Sequence, residues 1–121
     1  MKSTKKLSYG VVIATSILTS MVAHAEPLIG HYDCVMKSMD LNFTLSFGEG
    51  NKFVQDMDFI GLEKGSYSVD ESVITFTPTE KTRSGKKLDV PGPFKRNILS
   101  QTETELTMTN VNSDDPILCT K

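Results

Sequence analysis

Period-two alternation of apolar and polar residues, cut at short intervals by turn residues, constrains this chain more than any other feature. Leu41, Phe43, Leu45 and Phe47 alternate with Asn42, Thr44 and Ser46, the pattern of a strand with one face buried. Gly48-Glu49-Gly50-Asn51 reads as a hairpin turn. The return run places Phe53, Gln55, Met57 and Phe59 on one face and Val54, Asp56, Asp58 and Ile60 on the other. Gly61 and Gly65 flank the next turn, and Ser66 to Val69 is a short strand closed by Asp70-Glu71. Ser72 to Thr77 is β-branched and aromatic, and Pro78 is expected to end it. Residues 79–93, with Gly85, Pro91, Gly92 and Pro93, read as a long loop. Strands resume at Phe94 to Ser100, Glu105 to Val111 and Ile117 to Thr120. Upstream, Ile29 to Lys37 carries Tyr32, Cys34 and Met36 on one face. The expectation is all-β: a small antiparallel meander of about eight short strands, closed into a barrel or folded into a sandwich.

The first residues have a different character. Lys2, Lys5 and Lys6 precede an uncharged, mostly apolar run from Tyr9 to Val22, followed by Ala23-His24-Ala25. This is the pattern of a secretory signal peptide. The expected organisation is therefore a signal peptide over 1–25 and one β-domain over 26–121, periplasmic or secreted. A lipid anchor needs Cys directly after the cleavage point, whereas Glu26 stands there, so no membrane anchor is expected. In an oxidising compartment Cys34 and Cys119 are expected to form one disulfide. Pairing the first strand with the last would bring them together and cover two sheet edges.

Export also changes the charge. The chain has 13 basic and 15 acidic residues. Without Lys2, Lys5 and Lys6 the balance is 10 against 15, or −5. An acidic domain is a poor match for nucleic acid or anionic membranes. Against that background Lys81, Arg83, Lys86, Lys87, Lys95 and Arg96 form a local concentration of cations. Lys81, Arg83, Lys86 and Lys87, in the long loop, are the candidate contact for an anionic partner; a solvated mobile loop is the alternative. No aromatic residue lies between Lys81 and Pro93 to stack bases.

Groups suited to catalysis are few. His31 is the only histidine beyond residue 25, and its alternation with Tyr32 places it at an exposed strand start. Asp56 and Asp58 share a strand face, as a carboxylate pair or half a calcium site would, but that face is expected to be the solvated one. No catalytic residue, metal site or cofactor is assigned. Phe43, Phe47, Phe53, Phe59, Tyr67 and Phe76 are expected to point inward and fill a barrel just wide enough to be packed or to hold one small ligand.

Gly65-Ser66-Tyr67-Ser68-Val69, a two-residue connection and Ser72-Val73-Ile74-Thr75-Phe76-Thr77 resemble the G-x-Y-x-V…x-I-T-F-T hairpin of small bacterial exported lipocalin-like domains. Ile29-Gly30-His31-Tyr32 is similar to their I-G-x-W start, with Tyr in place of Trp. This resemblance implies a barrel and does not name a ligand. Tyr32-Asp33-Cys34 and the terminal Cys119-Thr120-Lys121 look like the opening and closing motifs of periplasmic inhibitors of c-type lysozyme, which are small, acidic, disulfide-closed barrels; their inhibitory loop motif has no counterpart here. The function expected is a non-catalytic exported β-domain that binds another protein, of inhibitor or immunity type. The alternative is a lipocalin-like protein that binds a small apolar molecule.

Overall fold

The computed structural model describes residues 28–121; the signal-peptide reading of 1–25 and the cleavage before Glu26 lie outside the described residues. The alternating runs become nine strands: β1 (Gly30–Met36), β2 (Leu41–Gly48), β3 (Lys52–Asp56), β4 (Leu62–Asp70), β5 (Val73–Arg83), β6 (Lys86–Lys87), β7 (Phe94–Gln101), β8 (Glu105–Asn110) and β9 (Pro116–Thr120). A 3-10 turn over Lys37–Met39 joins β1 to β2. Every pairing is antiparallel, in the order β4-β3-β2-β1-β9-β8-β7-β5-β6, and a further β4–β5 pairing closes the sheet. The result is an eight-stranded meander barrel with β6 as an appendage on β5. Closure removes most free sheet edges.

The seam between first and last strand carries the disulfide. Cys119 lies directly opposite Cys34 in the β9–β1 register, and the two are bonded. The turns at 49–51, 71–72 and 102–104 and the chain end at Lys121 gather at one end of the barrel. The segments 37–40, 57–61, 84–93 and 111–115 gather at the other, called here the mouth.

Inward positions of the alternation fill the interior. Tyr32, Leu45, Phe47, Phe53, Ile74, Phe76, Leu106, Met108 and Ile117 are buried in one cluster. The rings pack on one another: Phe47 on Tyr67 with centroids 4.8 Å apart, Phe53 on Phe76 at 5.0 Å, and Phe76 stacked on Phe94 at 4.9 Å. Such ring pairs add to the area they bury.

Tyr32 is fully buried, and its hydroxyl has no hydrogen-bond partner among the described residues. Burial raises its pKa above the ordinary value of a phenol. Removing an orphaned buried hydroxyl without changing shape costs little or nothing. Tyr32→Phe should therefore leave stability unchanged or raise it by about 1 kcal/mol, measured by urea unfolding. A clear loss would show that the hydroxyl is hydrogen-bonded.

Three details differ from the expectation, each for a local reason. Pro78 does not end its strand: β5 runs on to Arg83. A register shift at Lys64/Gly65 places Pro78 opposite Gly65, and a bulge is one of the places where proline is tolerated. That bulge needs a glycine. A Cβ on Gly65 would lie 2.1 Å from the Thr77 carbonyl oxygen and 2.7 Å from Pro78 Cα, both backbone atoms with little room to yield. Gly65→Ala should cost roughly 2–3 kcal/mol, and an unchanged urea midpoint would contradict this contact.

Leu99, expected within the apolar part of its strand, is exposed, because the β7–β8 register shifts between Ile98 and Ser100. Phe59, expected inside, is 89% exposed. β3 ends at Asp56, and the chain turns before the alternation can carry Phe59 inward.

Candidate partner-binding surface

The segment that exposes Phe59 is a tight, self-bonded turn. The Met57 N–H donates to the Gly61 carbonyl at 3.0 Å, and the Ile60 N–H to the Met57 carbonyl at 2.9 Å. The Asp58 N–H donates to Asp56 Oδ1 at 3.1 Å, a local Asx bond typical of turns. Asp58 and Gly61 both have positive φ, 44° and 131°. Gly61 is also held against β5, since a Cβ there would lie 2.7 Å from the Thr82 carbonyl oxygen. The turn thus projects Phe59 and Ile60 into solvent and lies directly against the base of the β5–β6 hairpin.

That hairpin is made from the N-terminal half of the supposed loop. Arg83 pairs with Lys86 and Thr82 with Lys87, around the two-residue connection Ser84-Gly85. Both connecting residues have positive φ, 53° and 79°, the requirement of a type I′ hairpin turn. The Leu88 N–H returns to the Lys81 carbonyl at 2.8 Å. The cations are therefore held on a short two-stranded ribbon.

The sequence cluster of six cations is divided by the fold. Arg83, Lys86 and Lys87 are exposed on the hairpin and enter no ion pair among the described residues. Lys81 is half-buried, its Nζ 3.4 Å from Glu63 Oε2. Lys95 is exposed on the outer face of β7, and Arg96 is inside the barrel with 3% of its surface accessible.

Arg96 is the feature least visible in the sequence. Its Nε donates to Asn110 Oδ1 at 3.1 Å and its Nη1 to Gln55 Oε1 at 2.6 Å. Its guanidinium carbon lies 5.1–5.5 Å from the centroids of Phe43, Phe76 and Phe94. Burial pushes its pKa down to about 10, with the nearby Glu63 carboxylate acting in the opposite direction. Glu63 is also buried, and its Oε1 has no hydrogen-bond partner among the described residues.

The remaining candidates lie on the outside. His31 is exposed, with Nδ1 2.7 Å from Ser46 Oγ and Nε2 3.9 Å from Asp33 Oδ1. Asp56 and Asp58 border the outer face, as expected, and line a groove with Asp33. Among the described residues, no three His, Cys, Asp or Glu side chains converge where a metal ion would sit.

What the fold brings together at the mouth is thus Phe59 and Ile60 beside Arg83, Lys86 and Lys87, with exposed Met39, Val90 and Val111 on the other mouth segments. No protein-family model matches the chain, and the searches of curated proteins and solved structures found no match either.

Proposed function

We propose that this is an exported, non-catalytic binding module that grips another protein with the mouth of a lipocalin-like barrel, as an inhibitor or immunity protein would. The observation that carries the reading is the almost fully exposed Phe59, rigidly displayed against a hairpin bearing Arg83, Lys86 and Lys87. Interfaces concentrate their energy in a few aromatic and arginine anchors, and unpaired cations beside such an anchor steer an anionic partner. The interior supports the same reading, because the rings of Tyr32, Phe47, Phe53 and Phe76 pack on one another inside the barrel.

The alternative is a small-molecule binder. It is favoured by the Tyr32 hydroxyl and Glu63 Oε1, buried and without a hydrogen-bond partner among the described residues. Native mass spectrometry of the exported protein separates the two. The protein-binding reading expects the mass of the bare chain, and a stoichiometric small-molecule adduct would overturn it.

Replacing Arg83, Lys86 and Lys87 together with Ser should change stability by no more than ~1 kcal/mol, as surface changes do. The same replacement should slow association with the partner by about tenfold, and wild-type association should slow as salt is added. An unchanged or faster on-rate in the variant rules the hairpin out as the contact.

A further inference from the structure

A groove of about 530 Å³ crosses the outer face of the barrel over β9, β1, β2 and β3. Its volume falls in the range of functional ligand clefts. Val35 and Leu118, directly opposite one another in the β9–β1 register, are among the residues that line it. Leu118 is 39% exposed, on a face whose other outward residues are mostly polar.

Asp33, Asp56 and Asp58 also line the groove. Among the described residues Asp56 and Asp58 have no cation within ion-pair distance, and Asp33 meets only the ring of His31. Register gives two of these charges, Asp33 and Asp56, a spacing that Glu105 continues beyond the groove. Glu105 pairs with Thr120, Thr120 with Asp33, Asp33 with Thr44, and Thr44 with Asp56. Carboxylates therefore recur on every second strand of a single row. Neighbouring strands lie about 4.8 Å apart, so the charges repeat at about 10 Å.

From the apolar lining and this row of carboxylates, we infer that the groove docks an extended basic segment of a protein, with Lys or Arg at every third position. A polyproline II chain advances about 3.1 Å per residue, so side chains three apart are separated by about 9 Å, close to the spacing of the row. The residues between the cations would meet Val35 and Leu118. The inference goes beyond the proposed mouth surface and does not depend on it.

The test is an amide-shift titration of the purified, disulfide-bonded protein with acetyl-Lys-Pro-Pro-Lys-Pro-Pro-Lys-amide. Saturable shifts should be confined to residues 33–35, 42–44, 56–58, 105 and 118–120. An isomer with its three lysines adjacent should bind several-fold more weakly. A folded Asp33→Asn, Asp56→Asn, Asp58→Asn variant should lose about tenfold in affinity, since each exposed ion pair contributes a few-fold at most. The Arg83, Lys86 and Lys87 to Ser variant should bind the peptide as wild type does, which keeps failure of the mouth proposal distinct from failure of this one. Shifts scattered over the acidic surface, equal binding of the two isomers, or undiminished binding by the Asn variant would each overturn the inference.

Discussion

Replacing Cys34 and Cys119 together with Ala is expected to remove about 4 kcal/mol of stability. The bond joins the first strand to the last, across a sequence separation of 85. In the chain-entropy model a loop of that length is worth roughly 4–5 kcal/mol, and measured losses fall between about 2 and 5. The bond also secures a short seam, for β9 and β1 pair at only three positions, Leu118 with Val35, Cys119 with Cys34 and Thr120 with Asp33. Without the crosslink, this pairing of the chain's two ends must bear the full entropy of closing the barrel. Small domains hold only about 5–15 kcal/mol in total, so the variant should be marginal at body temperature. The check is urea unfolding of the variant against the oxidised wild type. A difference below about 1 kcal/mol would mean that the barrel closes without help from the bond.

Arg96→Ala is the other change with a large expected effect, roughly 3–5 kcal/mol. It opens a cavity among Phe43, Phe76 and Phe94 and leaves the buried Gln55 without its donor. Arg96→Met fills much of that space and removes the buried charge, so what remains is the donor lost to the buried Gln55 and the half-buried Asn110, at about 1–3 kcal/mol. Adding Gln55→Met should bring stability back near wild type, because a buried polar group replaced together with its partner by apolar side chains is often neutral. A wild-type-like Arg96→Ala variant would contradict the packing described.

The alkaline limb separates charge from packing. The guanidinium of Arg96 has its pKa lowered to about 10, so above that pH the native state sheds a proton that the unfolded chain keeps. Stability from this group is therefore lost as pH falls from about 12 towards 10, and regained as it rises. Tyr32 and Tyr67 have raised pKa values, mainly through burial. Their native phenols keep protons that the unfolded chain sheds above pH 10, so stability falls there. In wild type the two effects oppose one another. With Arg96→Met only the tyrosine effect remains, and stability should fall more steeply with pH above 10 than in wild type.

The barrel was legible because its information is local. Alternation in Leu41–Phe47 and at Tyr32, Cys34 and Met36 assigned those side chains to the interior, and pairing the first and last strands brought Cys34 beside Cys119. The misplaced residues sit where a backbone event interrupts the period of two. Phe59 lies within the turn that runs through Asp58 and Gly61, Leu99 falls at the β7–β8 register shift, and Pro78 continues its strand opposite Gly65. Arg96 was hidden for another reason. Its burial depends on Gln55, Asn110, Phe43 and Phe76 on other strands and on Phe94 of its own, and nothing in Pro93-Phe94-Lys95-Arg96 distinguishes it from its exposed neighbour Lys95. The cations of 81–87 were recognisable as a cluster, while their distribution between the hairpin and Glu63 required the β4–β5 register. The exposure of Phe59 beside that hairpin became visible only with the turn in place.

Site-specific photo-crosslinking tests the binding role most directly. A photoreactive phenylalanine analogue at position 59 reports on the mouth, and the same analogue at Val69, exposed towards the opposite end of the barrel, serves as the control. In cells that make the protein, position 59 is expected to give a discrete adduct with one other protein, which is lost when Arg83, Lys86 and Lys87 are replaced by Ser; position 69 should give none. No protein adduct from position 59, or the same adducts from both positions, would contradict the account.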